Sequence, residues 1–368
     1  MKVGIITFFK SYNYGVWLQA VATQTFFKKN GFETQIINYT NELEDSKTRY
    51  AYRENGKGYG YITSFVKSIV FGKVKYYKKG FFNYLNNYYN LSKKEYHNSE
   101  EMKDVEYDIL VAGSDQLWNP ETTSGKLDNA FLLQFGKAKM RISVATSIGS
   151  NPVDKNNEKI IENALNSFDA ISVREQYAAD AIHTFCDLPI KVIMDPTFLL
   201  SRNEWIEIAR ANTNFTVKNE KYILTYFIST DKRSERYKKI VEEYSKSLGL
   251  PVWAIQFSKA KSTPCDKMIL GASISDFINL INKASLILTD SFHGVALSLN
   301  LNSNFVAINN EKNPERVRYL LDKVGLLNRI ELDVNEYSDI EYEKINDKLE
   351  LLRNDSTEWI LNTINNIE

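Results

Sequence analysis

The chain contains only three histidines, so the setting of each decides what acid–base chemistry is open to it. His97 stands in the polar stretch Glu95-Tyr96-His97-Asn98 and reads as a surface residue. His183 lies in a helix-like run close to Cys186 and reads as structural. His293 is placed differently. It follows the apolar run Leu286-Ile287-Leu288-Thr289, within Asp290-Ser291-Phe292-His293-Gly294, and directly precedes the helix-like Val295-Ala296-Leu297-Ser298. The carboxyl end of a strand in an open α/β sheet is where ligands collect. The helix that follows offers free backbone N–H groups and partial positive charge, an anion site. An imidazole there can exchange a proton near neutral pH, and Gly294 would let a ligand approach the backbone. The plain alternative is a buried capping histidine.

Three further strand ends carry chemistry. In Val111-Ala112-Gly113-Ser114-Asp115-Gln116-Leu117-Trp118-Asn119-Pro120, a turn at a strand's carboxyl end would expose a hydroxyl (Ser114) and a carboxylate (Asp115) to the same cleft. Asp115 could accept from sugar hydroxyls and Trp118 could stack on a sugar ring. Capping of the next segment by Ser114 and Asp115 explains the pattern about as well. Ile171-Ser172-Val173-Arg174-Glu175 puts a guanidinium at another strand end. Arg174 either pairs with Glu175 or Asp195 or grips a carboxylate or phosphate. Lys312 and Arg316 follow the strand-like Phe305 to Ile308, near the expected level of His293, where a charged surface helix is the plainer reading. Several strand ends thus present cations and one histidine without a metal-ligand cluster, which points to an anionic substrate and metal-free chemistry.

Elements able to position these groups are legible. Val3 to Phe8 is an apolar, β-branched run of the kind buried in a parallel sheet. The loop from Lys10 to Gly15 follows, then a helix with Trp17, Leu18, Val21, Ala22, Thr25 and Phe26 on its apolar positions. Gly31 falls where the helix should stop, and strand character returns over Thr34 to Tyr39, completing a βαβ unit. Further strands are expected at Ile109 to Ala112, Ile142 to Thr146, Ala170 to Val173 and Val192 to Met194. A second series covers Tyr222 to Phe227, Val252 to Ile255, Leu286 to Thr289 and Phe305 to Ile308. Helices are expected at Arg236 to Leu248, Ser275 to Asn282 and Pro314 to Val324. Two βα series imply two domains, 1–200 and 201–345, with a hinge around 196–220 and a final helix, 346–368, packing back on the first.

Length and composition agree with two soluble domains. The 368 residues exceed what one ordinary core holds. Lys plus Arg (46) balances Asp plus Glu (46), which argues against a nucleic-acid binder. No apolar run approaches the roughly 20 residues of a membrane-spanning helix. The amino terminus lacks signal-peptide character, and two cysteines form no disulfide framework or zinc site by spacing, so a reduced, cytoplasmic chain is expected. Residues 47–80 stand apart, with nine Lys or Arg, one acid (Glu54) and eight aromatic residues. They read either as a solvated insertion or as a patch for a lipid-linked anionic acceptor or the inner membrane face. The Gly56-Lys57-Gly58-Tyr59-Gly60 run inside them follows no strand and reads as a turn.

In these residues the sequence resembles the polysaccharide pyruvyl transferase family. The likeness rests on Asn13-Tyr14-Gly15 with Leu18-Gln19-Ala20, on Gly113 to Asn119, Arg141-Ile142-Ser143, Ile171 to Glu175, Asp195-Pro196-Thr197-Phe198 and Asp290 to Gly294, in that order. It implies two Rossmann-like domains facing across a cleft, similar to GT-B glycosyltransferases. It implies transfer of the pyruvyl unit of phosphoenolpyruvate onto a sugar of a cell-surface polysaccharide precursor as a cyclic ketal, with no cofactor. By resemblance His293 is catalytic. Arg174 holds the donor with Ser291, Phe292 and Gly294, and Lys312 assists, Arg316 being the fallback. Asn13, Gly15, Ser114, Asp115 and Trp118 are the candidates for the saccharide acceptor. Some members carry Arg-Leu-His where this chain has Ser291-Phe292-His293, one cation fewer. The alternatives are a GT-B glycosyltransferase using a sugar nucleotide and a non-catalytic saccharide-binding relative.

Overall fold

The computed structural model describes residues 1–41, 72–81, 85–123, 125–149, 154–229, 234–256, 259, 263–309 and 314–365. Most of the basic insertion, Gly56 to Gly60 included, lies outside the described residues, as does Lys312.

The first lobe is built on β1 (Lys2–Ile6), β2 (Glu33–Ile36), β3 (Glu106–Ala112), β4 (Lys137–Ser143), β5 (Ile171–Val173) and β6 (Ile190–Val192). The ladder β2-β1-β3-β4 is parallel throughout, and parallel bridges Ile142↔Ala170 and Thr146↔Val173 carry it on to the β5-β6 pair. Helices α1 (Tyr14–Lys29), α2 (Lys73–Gly80), α3 (Leu85–Tyr88), α4 (Lys155–Leu165) and α5 (Gln176–His183) accompany these strands, and α6 (Arg202–Ile208) packs against the second lobe. The second lobe carries β7 (Ile223–Tyr226), β8 (Val252–Gln256), β9 (Lys267–Leu270), β10 (Leu286–Thr289) and β11 (Phe305–Ala307), in the parallel order β11-β10-β7-β8-β9. Its helices are α7 (Glu235–Leu248), α8 (Ile274–Lys283), α9 (Phe292–Leu301) and α10 (Pro314–Val324), and α11 (Tyr342–Asn365) ends the described chain.

In each sheet the strand order reverses once, beside β1 and β3 in the first and beside β10 and β7 in the second. Crevices at such reversals are the ligand positions of open α/β sheets. Here the two reversals face each other through the amino ends of α1 and α9. The Asn13 side chain caps α1 by accepting from Gly15 N, so the helix begins at Tyr14, inside the stretch expected to be loop. Ser291 caps α9 in the same way, accepting from Gly294 N. All ten residues of α9 are buried, as expected for a helix that is mostly apolar around its circumference.

The lobes meet through polar and aromatic contacts and share one continuous apolar core. Tyr14 donates from its hydroxyl to Ala272 O (2.7 Å), stacks on Phe277 with ring centroids 4.3 Å apart, and receives the Tyr226 ring edge-on. The Tyr226 hydroxyl donates to Asn13 Oδ1 (3.1 Å). Gly80, the last residue of α2, lies so close to Ala272 O that a Cβ would come within 2.3 Å of it, which seats this end of the basic segment on the second lobe. From the other side, α11 reaches the first lobe: Lys191 pairs with Asp355, Met194 N donates to Ser356 Oγ, and Arg353 donates to Phe198 O. Among the described residues, no helix is long and apolar enough to cross a membrane.

Because Tyr14 makes its interlobe hydrogen bond with no solvent nearby, Tyr14→Phe strands the Ala272 carbonyl. A loss of about 1–3 kcal/mol in denaturant unfolding is expected, with unchanged far-UV circular dichroism. An unchanged unfolding midpoint would remove this bond from the interlobe contact.

Candidate active site

Arg174 is the first residue past β5, where the strand's end turns its side chain into the protein. It is 4% exposed. Its Nε donates to Glu175 Oε1 (2.8 Å) and its Nη1 to Asp195 Oδ2 (2.9 Å), so both partners foreseen for it are engaged. Burial alone would pull this guanidinium down, but the carboxylates of Glu175, Asp195 and Asp115 outweigh burial and raise it. One edge stays open: Nη2 is buried with no hydrogen-bond partner.

Asp195 is held from two sides. Its Oδ1 accepts from Thr197 N (2.9 Å) and Thr197 Oγ1 (2.7 Å), which fixes the carboxylate at the start of the Pro196–Phe198 turn. Its Oδ2 faces Arg174 and also His293 Nε2, 3.4 Å away. Burial would raise the Asp195 carboxyl, yet His293 and Arg174 together hold it well below the usual carboxylate range. The guanidinium of the first lobe and the imidazole of the second therefore share one oxygen. At 3.4 Å the His293 approach is longer than a formed N–H···O bond, and Nε2 counts as buried without a partner.

The opposite side of the His293 ring lies against α1. A Cβ placed on Gly15 would stand 2.0 Å from Nδ1. Gly15 therefore serves the site by making room for the imidazole. Gly294 is explained differently from the expectation of ligand approach: a Cβ there would meet Thr289 Oγ1 at 2.4 Å, so the position is packed against its own strand.

Arg316, on the first turn of α10, extends the charge series. Its Nε is 3.3 Å from Glu175 Oε1, the same oxygen that binds Arg174. Burial first, and the like charge of Arg174 second, lower this guanidinium from its ordinary value. The Phe292 ring lies 5.0 Å from the Cζ of Arg174 and 5.0 Å from that of Arg316, within cation–π reach of both. These groups border a cavity of about 370 Å³, lined by Arg174, Asp195, Phe292, Arg316, Tyr319 and Lys323 among others. His293 adjoins this wall through Asp195.

Several expected contacts move elsewhere. Trp118 is fully buried and donates from Nε1 to Phe131 O, with its ring edge-on to Phe168; it is a core residue and offers no face for a sugar. Ser114 is buried too, its hydroxyl donating to Ala145 O and lying 3.4 Å from Asp195 Oδ2, so it stays beside the Arg174–His293 meeting point. Ser291 is occupied as the α9 cap. Asp115 remains half-buried at φ +82°, its Oδ1 accepting from Gln116 N. His97 is exposed, and His183 lines the far end of the cavity. Asp195, Glu175 and Tyr226 were not among the chosen site residues. The signal for the first two was their place at strand ends beside Arg174. Among the described residues, no group of three or more His, Cys, Asp or Glu could hold a metal ion.

Two parallel α/β lobes whose sheet reversals face each other define a GT-B-type fold. The UDP-GlcNAc 2-epimerase of Methanocaldococcus jannaschii superposes with a TM-score of 0.50 at 14% identity, covering 99% of both chains. The enzyme from Neisseria meningitidis, solved with UDP-GlcNAc, superposes at 0.47 with 12% identity over 99% of both chains. A Thermobaculum terrenum O-GlcNAc transferase mutant gives 0.42 at 10% identity, over 99% of this chain and 64% of its own. The sequence profile of the polysaccharide pyruvyl transferase family matches residues 13–312, and the chain belongs to that family. No curated protein matches it in sequence.

The depressed Asp195 carboxyl has a consequence for acid stability. A carboxyl held below its unfolded value binds its proton less readily when folded, so its stabilisation is present above roughly pH 4 and is lost as pH falls through and below that region. Unfolding free energy should therefore drop more steeply on acidification in the unaltered chain than in Asp195→Asn. Parallel acid profiles would take Asp195 out of the acid response.

Proposed function

We propose that this chain transfers the pyruvyl group of phosphoenolpyruvate to a saccharide of a polysaccharide precursor, forming a cyclic ketal and releasing phosphate. The observation that carries the reading is the meeting of His293 and Arg174, from different lobes, on Asp195 Oδ2, beside a cavity into which a second guanidinium, Arg316, is set. Family membership supplies the class of transferase and acceptor. The donor is inferred from the charge and size of the site. Phosphoenolpyruvate is a small polyanion, and a cavity of about 370 Å³ lies at the small end of ligand sites, about 300–1,000 Å³.

In this reading the Arg174 Nη2 edge and the Arg316 fork bind the phosphate and neutralise charge as it departs. The imidazole handles protons. A proton given to the methylene carbon is taken up by the C=C electron pair, the oxygen of one sugar hydroxyl bonds to the central carbon, and that hydroxyl's proton returns to the ring. The C–O bond to phosphorus then breaks with its electron pair, phosphate leaves, and the second hydroxyl closes the ketal, its proton departing with the phosphate. Atoms and protons balance, and His293 ends as it began. Asn13 and Gly15 at the start of α1, with Asp115, border the acceptor side.

The deciding experiment incubates pure protein with phosphoenolpyruvate and a panel of sugar acceptors, reading phosphate release and the mass of a ketal, with sugar nucleotides in parallel. Consumption of a sugar nucleotide with no phosphate from phosphoenolpyruvate would overturn the reading. His293→Ala is expected to lower turnover at least 10²–10⁴-fold with the fold intact. Arg316→Ala should raise the donor KM about 10- to 100-fold, the loss of a charge-assisted contact worth about 1.5–3 kcal/mol. An unchanged KM would separate Arg316 from the donor.

A further inference from the structure

We propose that Asp195 is the positioning residue of His293: it takes the Nε2 proton of the neutral ring and leaves Nδ1, the ring nitrogen turned away from the carboxylate, as the atom that exchanges protons with substrate. This deepens the pyruvyl-transfer reading and rests on it.

The two ring nitrogens of His293 meet different surroundings. Nε2 is enclosed, and the polar atom opposite it is Asp195 Oδ2 at 3.4 Å. That oxygen also accepts from Arg174 Nη1, and the other oxygen accepts twice from Thr197, so the carboxylate acts as an acceptor on every side. Arg174 and Thr197 donate to it whatever the state of the ring, which keeps it ionised. Two facing acceptors would repel, so a neutral ring must carry its hydrogen on Nε2. The 3.4 Å separation is the loose form of a contact that tightens once substrate is bound.

Nδ1 has a different environment. No hydrogen bond to it is formed by the described residues, and it is not among the enclosed polar atoms, although the residue as a whole is 4% exposed. It lies over Gly15, next to Asn13, whose Oδ1 is held by Gly15 N and by the Tyr226 hydroxyl. Gly15 thus lies against the ring at Nδ1, and this nitrogen, unlike Nε2, faces no carboxylate. In the reacting state Nδ1 starts protonated and gives that proton to the methylene carbon. As the oxygen of a sugar hydroxyl bonds to the central carbon, the hydroxyl's proton returns to Nδ1, so the ring is unchanged over the addition and Nε2–H stays on Asp195.

The test reads the ring directly. With only three histidines, ¹⁵N-histidine labelling gives three ring systems, and His293→Gln identifies the one of interest. In the neutral ring the His293 signals should be those of a protonated Nε2 and a bare Nδ1. The reverse pattern in the unaltered protein overturns the proposal, whether or not pyruvyl transfer is found. In Asp195→Asn, whose amide can donate to Nε2, the pattern should invert and kcat should fall about 10²–10⁴-fold. An inverted ring with full kcat would also overturn it. Gly15→Ala, whose Cβ would stand 2.0 Å from Nδ1 and must displace the ring, should abolish transfer in a protein whose melting curve stays cooperative; full activity there would remove this ring position from the chemistry. Absence of transfer from phosphoenolpyruvate in the unaltered protein, with the expected nitrogen pattern, counts against the donor and leaves the positioning intact.

Discussion

One carboxylate oxygen organises this molecule. Asp195 Oδ2 is buried and lies between the guanidinium of Arg174 and the imidazole of His293, which come from different sheets in different lobes. Taking an ion out of water costs several kcal/mol, and a buried pair recovers that only with good geometry and further hydrogen bonds. Thr197 supplies two such bonds to the other oxygen, so the carboxylate cannot rotate away. The pair is poorly explained as a source of stability, since apolar side chains of equal volume often serve a core as well or better. It is well explained as a device that fixes where two reactive groups stand.

The contact that sets the site between the lobes acts at the two sheet reversals. The amino ends of α1 and α9 approach each other there, and side-chain size sets how closely. Gly15 leaves room for the imidazole, and Gly294 lets α9 start hard against Thr289 at the end of β10. The Tyr226 hydroxyl closes the same gap from the end of β7, receiving from Tyr14 N and donating to Asn13 Oδ1. Helix capping and interlobe contact thus use the same atoms, which ties the position of the α1 terminus to that of the second sheet.

Much of the fold was readable because buried parallel strands are short apolar runs and their helices begin at Ser, Asn or Asp caps. The run at Leu286 to Thr289 is β10 as written, and Pro314 to Val324 is α10. The strand β9 escaped notice: Lys267 to Leu270 is four residues long, opens on a charge and pairs with β8 alone. At the site, the pattern located strand ends well and side-chain directions badly. Ser114 and Trp118 sit in the expected turn, but the turn aims one hydroxyl at Ala145 O and buries the indole in the core. Period and spacing carry no information on which way an irregular turn rolls. For the same reason Asp195 and Glu175 read as passive partners of Arg174, since their approach to His293 and Arg316 crosses between lobes.

The way the two arginines are tied explains why so many internal carboxylates can coexist with an anion site. Glu175 Oε1 lies against the Nε of Arg174 and the Nε of Arg316, and Asp195 takes only Nη1 of Arg174. The pairing therefore consumes the inner edges of the guanidiniums. Nη2 of Arg174 keeps no partner, and no hydrogen bond from Arg316 is formed among the described residues. Phe292, 5.0 Å from both Cζ atoms, supports the planes without using a donor. In this chain an aromatic ring occupies the place where some relatives carry a leucine after an arginine. Its two guanidiniums come instead from strand and helix ends on different lobes, held in orientation by carboxylates that leave their outer edges to a ligand.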